Sequence, residues 1–154
     1  MLFGKKKEHR AIRELIAGSS ERMLPLIHES SNVEEVIRMM KHSRQCRLLY
    51  VVDDEGTLLG TISIGALVRH LFSRGHEPQI HARKLLHSIT AETAGHIMQK
   101  RPIFAIEDDD IETMLKKMIK SNVKEIAVVD KDKRVIADLT LVDFLEFLAE
   151  ETEE

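Results

Sequence analysis

Two stretches of the chain carry the same apolar pattern half a chain apart, and this repeat limits the possible folds more than any other feature. Val33, Val36, Ile37 and Met40 fall at i, i+3, i+4 and i+7, and Ile111, Met114, Leu115 and Met118 do the same 78 residues later. That spacing predicts an amphipathic helix in each half. A short apolar stretch and polar or acidic residues precede both helices: Pro25-Leu26-Ile27 then Glu29-Ser30-Ser31, and Ile103-Phe104-Ala105-Ile106 then Glu107-Asp108-Asp109. Acidic residues suit a helix N-terminus, where unpaired N–H groups and the positive end of the dipole lie. Continuous apolar runs follow, Leu48 to Asp53 and Ile126 to Asp130, now at an offset of 77, as strands buried on both faces would. The one-residue change falls between Met40 and Leu48, where a helix-to-strand loop absorbs it. Asp54-Glu55-Gly56 and Lys131-Asp132-Lys133 are polar turns leading into Leu58 to Ser63 and Val135 to Thr140, so each half holds a hairpin. Leu67, Val68, Leu71 and Phe72 then match Phe144, Leu145, Leu148 and Ala149, again 77 residues apart, as a second helix.

The order is therefore β-α-β-β-α twice, an α+β (α/β) chain. Units of roughly 50 residues bury little surface alone, so the expected arrangement is two halves packed with pseudo-twofold symmetry into one module. The expected divisions are residues 1–20 (N-terminal amphipathic helix and linker), 21–74 (first unit), 75–90 (linker), 91–149 (second unit) and 150–154 (acidic tail). Ile12, Leu15 and Ile16 give the first helix one apolar face, available to pack across the module or between subunits. Ala91 to Met98 is expected to form a short helix leading into the second unit.

Composition excludes several classes. A formal net charge of −3 gives no global footprint for nucleic acid or an anionic membrane. Aromatic residues make up only 4% and Trp is absent, which removes the usual stacking platform for single strands or sugars. One cysteine, Cys46, cannot form an intramolecular disulfide and fits a reducing compartment. No apolar run approaches the ~20 residues of a membrane span, and Met1 to Lys7 lacks the apolar core of a signal peptide. A cytoplasmic protein is expected. No nucleophile elbow, Gly-rich phosphate loop, metal triad or recognisable carboxylate pair is present, so no enzymatic activity is expected.

The repeated β-α-β-β-α unit, with Val-Val-Asp closing a buried strand and Thr140-Leu141-Val142-Asp143-Phe144-Leu145 opening the last helix, resembles a CBS domain, and the pair resembles a Bateman module. Ala94-Gly95-His96-Ile97-Met98 is similar to the short Met-ended segment that opens such domains, and the resemblance covers about residues 21 to 149. It implies a regulatory module binding AMP, ADP, ATP or S-adenosylmethionine in clefts between the paired units, with no covalent cofactor. In the family pattern an Asp at the start of the last helix grips the ribose and a Ser or Thr three residues earlier faces phosphate, which carries over to Asp143 and Thr140. The physics agrees: a carboxylate accepts two hydroxyl hydrogen bonds, and a helix N-terminus favours an anion. Adenine contacts carry over to Ile103, Phe104 and Ala105, and a phosphate contact to Lys124. The first unit keeps Ser63 but has Ala66 in place of the Asp, which makes it a degenerate site. Glu125 stands where a basic residue is common, and Ala137 where Gly is common, whereas the first unit keeps Gly60. A carboxylate repels phosphates, which leaves room for a less anionic adenosyl compound.

Each signal has a plainer structural reading. Thr140 and Asp143 by themselves are a helix N-cap pair, and the repeat context is what assigns them to a site. Met40, Met114 and Met118 are expected in the core, with Met39 the exception. His70, His76, His81 and His87 cluster without the i, i+4 pairing of a metal site. Cys46 beside Arg44 and Arg47 reads as a quiet thiol, and Lys5 to Arg10 as a solvated helix end.

The leading expectation is an adenosyl-ligand sensor, in which binding biases an equilibrium read by a separate effector protein, since no effector domain is attached. The alternative is a ligand-independent dimerisation or interaction scaffold, favoured by Ala66, Glu125 and Ala137. A histidine-based metal sensor in the linker is a third. A homodimer is expected under all three.

Overall fold

The structure, a computed structural model, describes residues 10–18, 23–42, 47–72 and 91–152. Cys46, His76, His81, His87, the Lys5 to Lys7 run, Gly75 to Ser88, Glu153 and Glu154 lie outside them. The elements are α1 (Ile12–Gly18), β1 (Leu26–His28), α2 (Val33–His42), β2 (Leu48–Val52), β3 (Leu58–Ser63), α3 (Ile64–Phe72), α4 (Ala94–Ile97), β4 (Gln99–Lys100), β5 (Phe104–Ile106), α5 (Ile111–Lys120), β6 (Glu125–Val129), β7 (Val135–Thr140) and α6 (Leu141–Thr152). The repeat is thus present as β1-α2-β2-β3-α3 and β5-α5-β6-β7-α6.

The chain divides into two compact units. One comprises Pro25–Pro102; the other joins Met1–Leu24 to Ile103–Glu154. In the first, a four-stranded sheet has the order β1-β2-β3-β4, with β1 parallel to β2 and the remaining pairs antiparallel. Val33, Val36 and Met40 on α2 and Leu67 on α3 form one core with Leu49, Val51 and Ile62 of the sheet. Met39 is only partly buried against this core. In the second unit the sheet is β5-β6-β7, and Ile111, Met114, Leu115 and Met118 of α5 pack with Phe144 of α6, Ile126, Val128 and Leu139. Tyr50 and Val52 of β2, and Ala127 and Val129 of β6, are buried as well, so both central strands are covered on both faces, as their unbroken apolar runs require.

The same local chemistry builds both helix starts. Asn32 Oδ1 accepts from the Glu35 N–H at 3.0 Å, and Asp110 Oδ2, 78 positions on, accepts from the Thr113 N–H at 2.9 Å.

The segments that precede each repeat dock on the other one. The Ile12 N–H donates to the Asp109 carbonyl at 2.8 Å, the Arg13 N–H to Glu107 at 3.1 Å, and the Ile111 N–H to Arg10 at 2.8 Å. The Ala94 N–H donates to Ser31 at 2.7 Å, the Gly95 N–H to Glu29 at 2.9 Å, and the Val33 N–H to Glu92 at 3.2 Å. Isolated bridges Ala11 with Asp110 and Asn32 with Thr93 complete the correspondence. Ile12 and Leu15, the predicted apolar face of α1, are therefore buried in the core of the second repeat.

Among the described residues, strand β4 has no counterpart in the other unit. Gly60 pairs with Lys100, and a Cβ at Gly60 would lie 2.6 Å from the Gln99 carbonyl oxygen and 2.7 Å from the Met98 sulfur. The missing side chain is what allows β4 to lie along β3. At the matching position Ala137 packs partly buried against the second core.

Candidate functional site

Thr140 ends β7 and Asp143 occupies the first turn of α6. The Thr140 N–H and hydroxyl donate to Asp143 Oδ2 at 2.8 and 3.2 Å, and the Asp143 N–H donates to Thr140 Oγ1 at 3.4 Å. This reciprocal box satisfies N–H groups that the helix start leaves open and holds the carboxylate against the strand end. The Leu141 N–H donates to the Lys124 carbonyl at 3.0 Å, which places exposed Lys124 beside the same corner. Thr140, Asp143 and Lys124 are thus brought together within one unit.

The first repeat builds half of this arrangement. Ser63 Oγ accepts from the Ala66 N–H at 3.1 Å, and the Ile64 N–H donates to the Arg47 carbonyl at 3.0 Å. With Ala at position 66 there is no carboxylate to return the contact, so Ser63 acts as a simple cap.

The register of the second sheet sorts the other candidates. Phe104 pairs with Ala127 and Ala127 with Asp138, while Glu125 pairs with Thr140. Paired residues share a face and alternate ones return to it, so Phe104, Glu125, Asp138 and Thr140 occupy one face of the β5-β6-β7 sheet. Ala105 falls on the opposite face, fully buried in the core, and Ile103 packs against that core from its edge. Phe104 alone of the three adenine candidates therefore shares the face of Thr140. The Lys133 ammonium stands 5.4 Å from the centre of its ring, within cation–π range.

Two features of this face were not anticipated. Asp138 joins Glu125 as a second carboxylate, and alternation along β7, two residues before Thr140, is the signal that finds it. Lys133 reaches Phe104 from the hairpin turn, a contact that residue spacing does not encode. Carboxylates on the face oppose an approaching phosphate, whereas Lys124 at the corner attracts one.

A further constellation lies at the far end of the first sheet. His28 Nε2 is 2.6 Å from Asp54 Oδ1 and Nδ1 is 2.7 Å from Ser30 Oγ. The Ser30 N–H also donates to Nδ1 at 3.1 Å, so that nitrogen is an acceptor and Nε2 carries the proton toward Asp54. With Asp54 93% exposed, this is a solvated turn lock, not a shielded nucleophile. His70 Nε2 lies 2.8 Å from Glu92 Oε2. Among the described residues no group of three His, Cys, Asp or Glu side chains could hold a metal ion, and no described helix is long and apolar enough to cross a membrane.

The fold is that of a CBS domain pair, and the sequence agrees: the CBS domain family matches residues 20–73 and 94–150, so the chain belongs to that family. No curated protein matches the sequence. Among solved structures, a CBS domain-containing protein from Thermotoga maritima is 24% identical, with a TM-score of 0.71 over 92% of this chain and 96% of its own. The CBS domain pair of protein MJ0100, in complex with 5′-methylthioadenosine and S-adenosyl-L-methionine, is 20% identical, with a TM-score of 0.68 over 94% of this chain and 99% of its own. CBSX2 in complex with AMP is 21% identical, with a TM-score of 0.67 over 85% of this chain and 90% of its own.

Proposed function

We propose that this chain is a regulatory module that binds an adenosyl ligand at the Thr140 and Asp143 corner and signals its presence to a separate protein in the cytoplasm, without catalysing a reaction. The observation that carries this reading is the boxed pair itself: a hydroxyl and a carboxylate held at a helix start beside exposed Lys124. In this reading Asp143 accepts from the ribose hydroxyls and Thr140 meets a phosphate or its substitute, and Phe104, which the strand register puts on the sheet face of Thr140, meets the adenine. Support comes from CBS pairs of the same fold whose structures hold S-adenosylmethionine, 5′-methylthioadenosine and AMP. Glu125 and Asp138 on that face favour an adenosyl compound carrying little negative charge, S-adenosylmethionine before ADP or ATP.

The scaffold reading draws on one observation as well, since the Asp143 carboxylate already caps its own helix. Thermal shift of the purified protein against AMP, ADP, ATP and S-adenosylmethionine separates the two. A ligand at 100 times its dissociation constant should stabilise the fold by about 2.7 kcal/mol. A shift that disappears in Asp143→Ala supports the sensor; no shift with any adenosyl compound leaves the scaffold.

A further inference from the structure

The segments that dock on the two repeats are fastened by different chemistry at one matched place. On the first repeat, the carbonyls of Glu29 and Ser31 accept from the Gly95 and Ala94 N–H groups of α4 at 2.9 and 2.7 Å. On the second, the carbonyls of Glu107 and Asp109, 78 positions on, accept from Arg13 and Ile12 of α1 at 3.1 and 2.8 Å. The residue between each pair of carbonyls differs. In the second repeat it is Asp108, ion-paired with Arg13 of α1. In the first it is Ser30, whose N–H donates at 3.1 Å to His28 Nδ1, while Nε2 faces Asp54 Oδ1 at 2.6 Å. Ile106 matches His28 and Lys131 matches Asp54, so the second repeat cannot build this contact. Arginine and aspartate do not change charge near neutral pH, and histidine does.

We propose that His28 is a pH-sensitive latch for α4: taking up a proton releases the Ser30 N–H and loosens the hydrogen bonds that Glu29 and Ser31 accept from α4. The step is a change of role at one atom. An imidazole with its proton on Nε2 accepts at Nδ1, whereas an imidazolium carries hydrogen on both nitrogens and accepts at neither. The Ser30 hydroxyl, 2.7 Å from Nδ1, can receive the new N–H, but the Ser30 backbone N–H can no longer point at it. That N–H shares a planar peptide with the Glu29 carbonyl, so turning one away turns the other, and the Glu29 carbonyl is the acceptor for Gly95. Asp54 holds the imidazolium at the turn by charge, so the Ser30 contact is the one that breaks. The other charged groups around the ring are Asp53 and Glu55 in the same turn, Glu29 beside it in the chain, and Glu34 and Glu35 in the first turn of α2. At α4 itself, His96 Nδ1 lies 3.4 Å from the Thr93 nitrogen, and His70 meets Glu92 just before it at 2.8 Å. The latch lies wholly within Pro25–Pro102 and does not depend on ligand binding.

Amide hydrogen exchange read by NMR, expressed as protection relative to an unstructured chain, tests it between about pH 8 and about pH 5, where histidine changes charge. Protection at Gly95 and Ala94 should fall at least about fivefold, the worth of one hydrogen bond, with the same midpoint as the His28 ring protons. Protection at Ile12 and Arg13, fastened beside Asp108, should stay within about twofold. His28→Asn keeps a neutral acceptor near the position of Nδ1 and should hold Gly95 at its high-pH protection throughout. His28→Lys, a donor at every pH of the series, should hold it low. Protection at Gly95 that does not change with pH, an equal fall at Ile12 and Arg13, or a midpoint different from that of His28 would each overturn the proposal. So would a loss that persists in His28→Asn, which would assign it to His96 or His70, or high protection in His28→Lys. Should either variant fail to fold, the two midpoints in the natural chain decide the question by themselves.

Discussion

Gly56 and Lys133 occupy the same position of the same turn, 77 residues apart, and both adopt a left-handed backbone, with φ of 84° and 64°. The turns agree bond for bond. Asp53 Oδ1 accepts from Glu55 and Thr57 N–H at 2.9 and 3.0 Å, and Asp130 Oδ1 from Asp132 and Arg134 N–H, both at 2.9 Å. Glycine adopts this conformation without a steric penalty and lysine does not, but Lys133 places its ammonium over Phe104.

Gly56→Ala is therefore expected to destabilise the chain by about 1 kcal/mol, from backbone conformation alone, because a Cβ at Gly56 meets no atom within 4 Å. Chemical denaturation measures it. A change near zero would show that the turn relaxes to another type.

Gly60→Ala should cost more, for a different reason. The new methyl would run into the Gln99 carbonyl and the Met98 side chain, and overpacking of this kind costs about 1–3 kcal/mol. Hydrogen exchange should show β4 released before the rest of its sheet. Unchanged protection at Gln99 and Lys100 would contradict the close approach.

Ile12→Ala removes a fully buried side chain from the core formed by α5, α6 and the β5-β6-β7 sheet. Truncations of that kind cost about 2–5 kcal/mol. The loss of amide protection should appear in β6 and β7, more than a hundred residues away in sequence, and not first in β1 to β3. Loss confined to the β1 to β3 strands would contradict the docking.

Asp53 sets an acid limit. The backbone N–H of Thr57 is the main cause holding its carboxyl below the usual aspartate range, with the Glu55 N–H and the Thr57 side chain acting in the same direction. A lowered folded pKa contributes stability that is present above the unfolded value of about 3.9 and is lost as the pH falls through the folded one. An NMR titration should find the Asp53 midpoint below that of a free aspartate, and Asp53→Asn should remove its part of the acid unfolding curve. A midpoint at or above the free value would refute this.

The repeat was legible because periodicity survives translation along the chain. Val33 to Met40 and Ile111 to Met118 form the helices their spacing requires, and Thr140 and Asp143 meet as an N-cap pair should. What spacing cannot state is which surface an apolar face will cover. Ile12, Leu15 and Ile16 read as one face of a helix, but nothing local distinguishes the sheet beside them in sequence from the one on which they lie. β4 was hidden for a related reason: Gln99 and Lys100 have no strand pattern, and their place follows from the gap at Gly60. On the site face, Ala105 looks equivalent to Phe104 in a four-residue apolar run until the register sends them to opposite sides.

The crossed docking of the leading segments also sets a timetable for synthesis. When Ile12 leaves the ribosome, the sheet it will cover has not been made; Ile111, whose N–H bonds to Arg10, follows about 100 residues later, roughly 5–20 s at ordinary elongation rates. The first repeat waits as well, until Ala94 and Gly95 emerge to bond Ser31 and Glu29. A nascent chain halted after Phe72 holds one repeat in sequence but lacks α4 and β4, whereas one halted after Pro102 holds that whole unit together with an α1 still without its sheet.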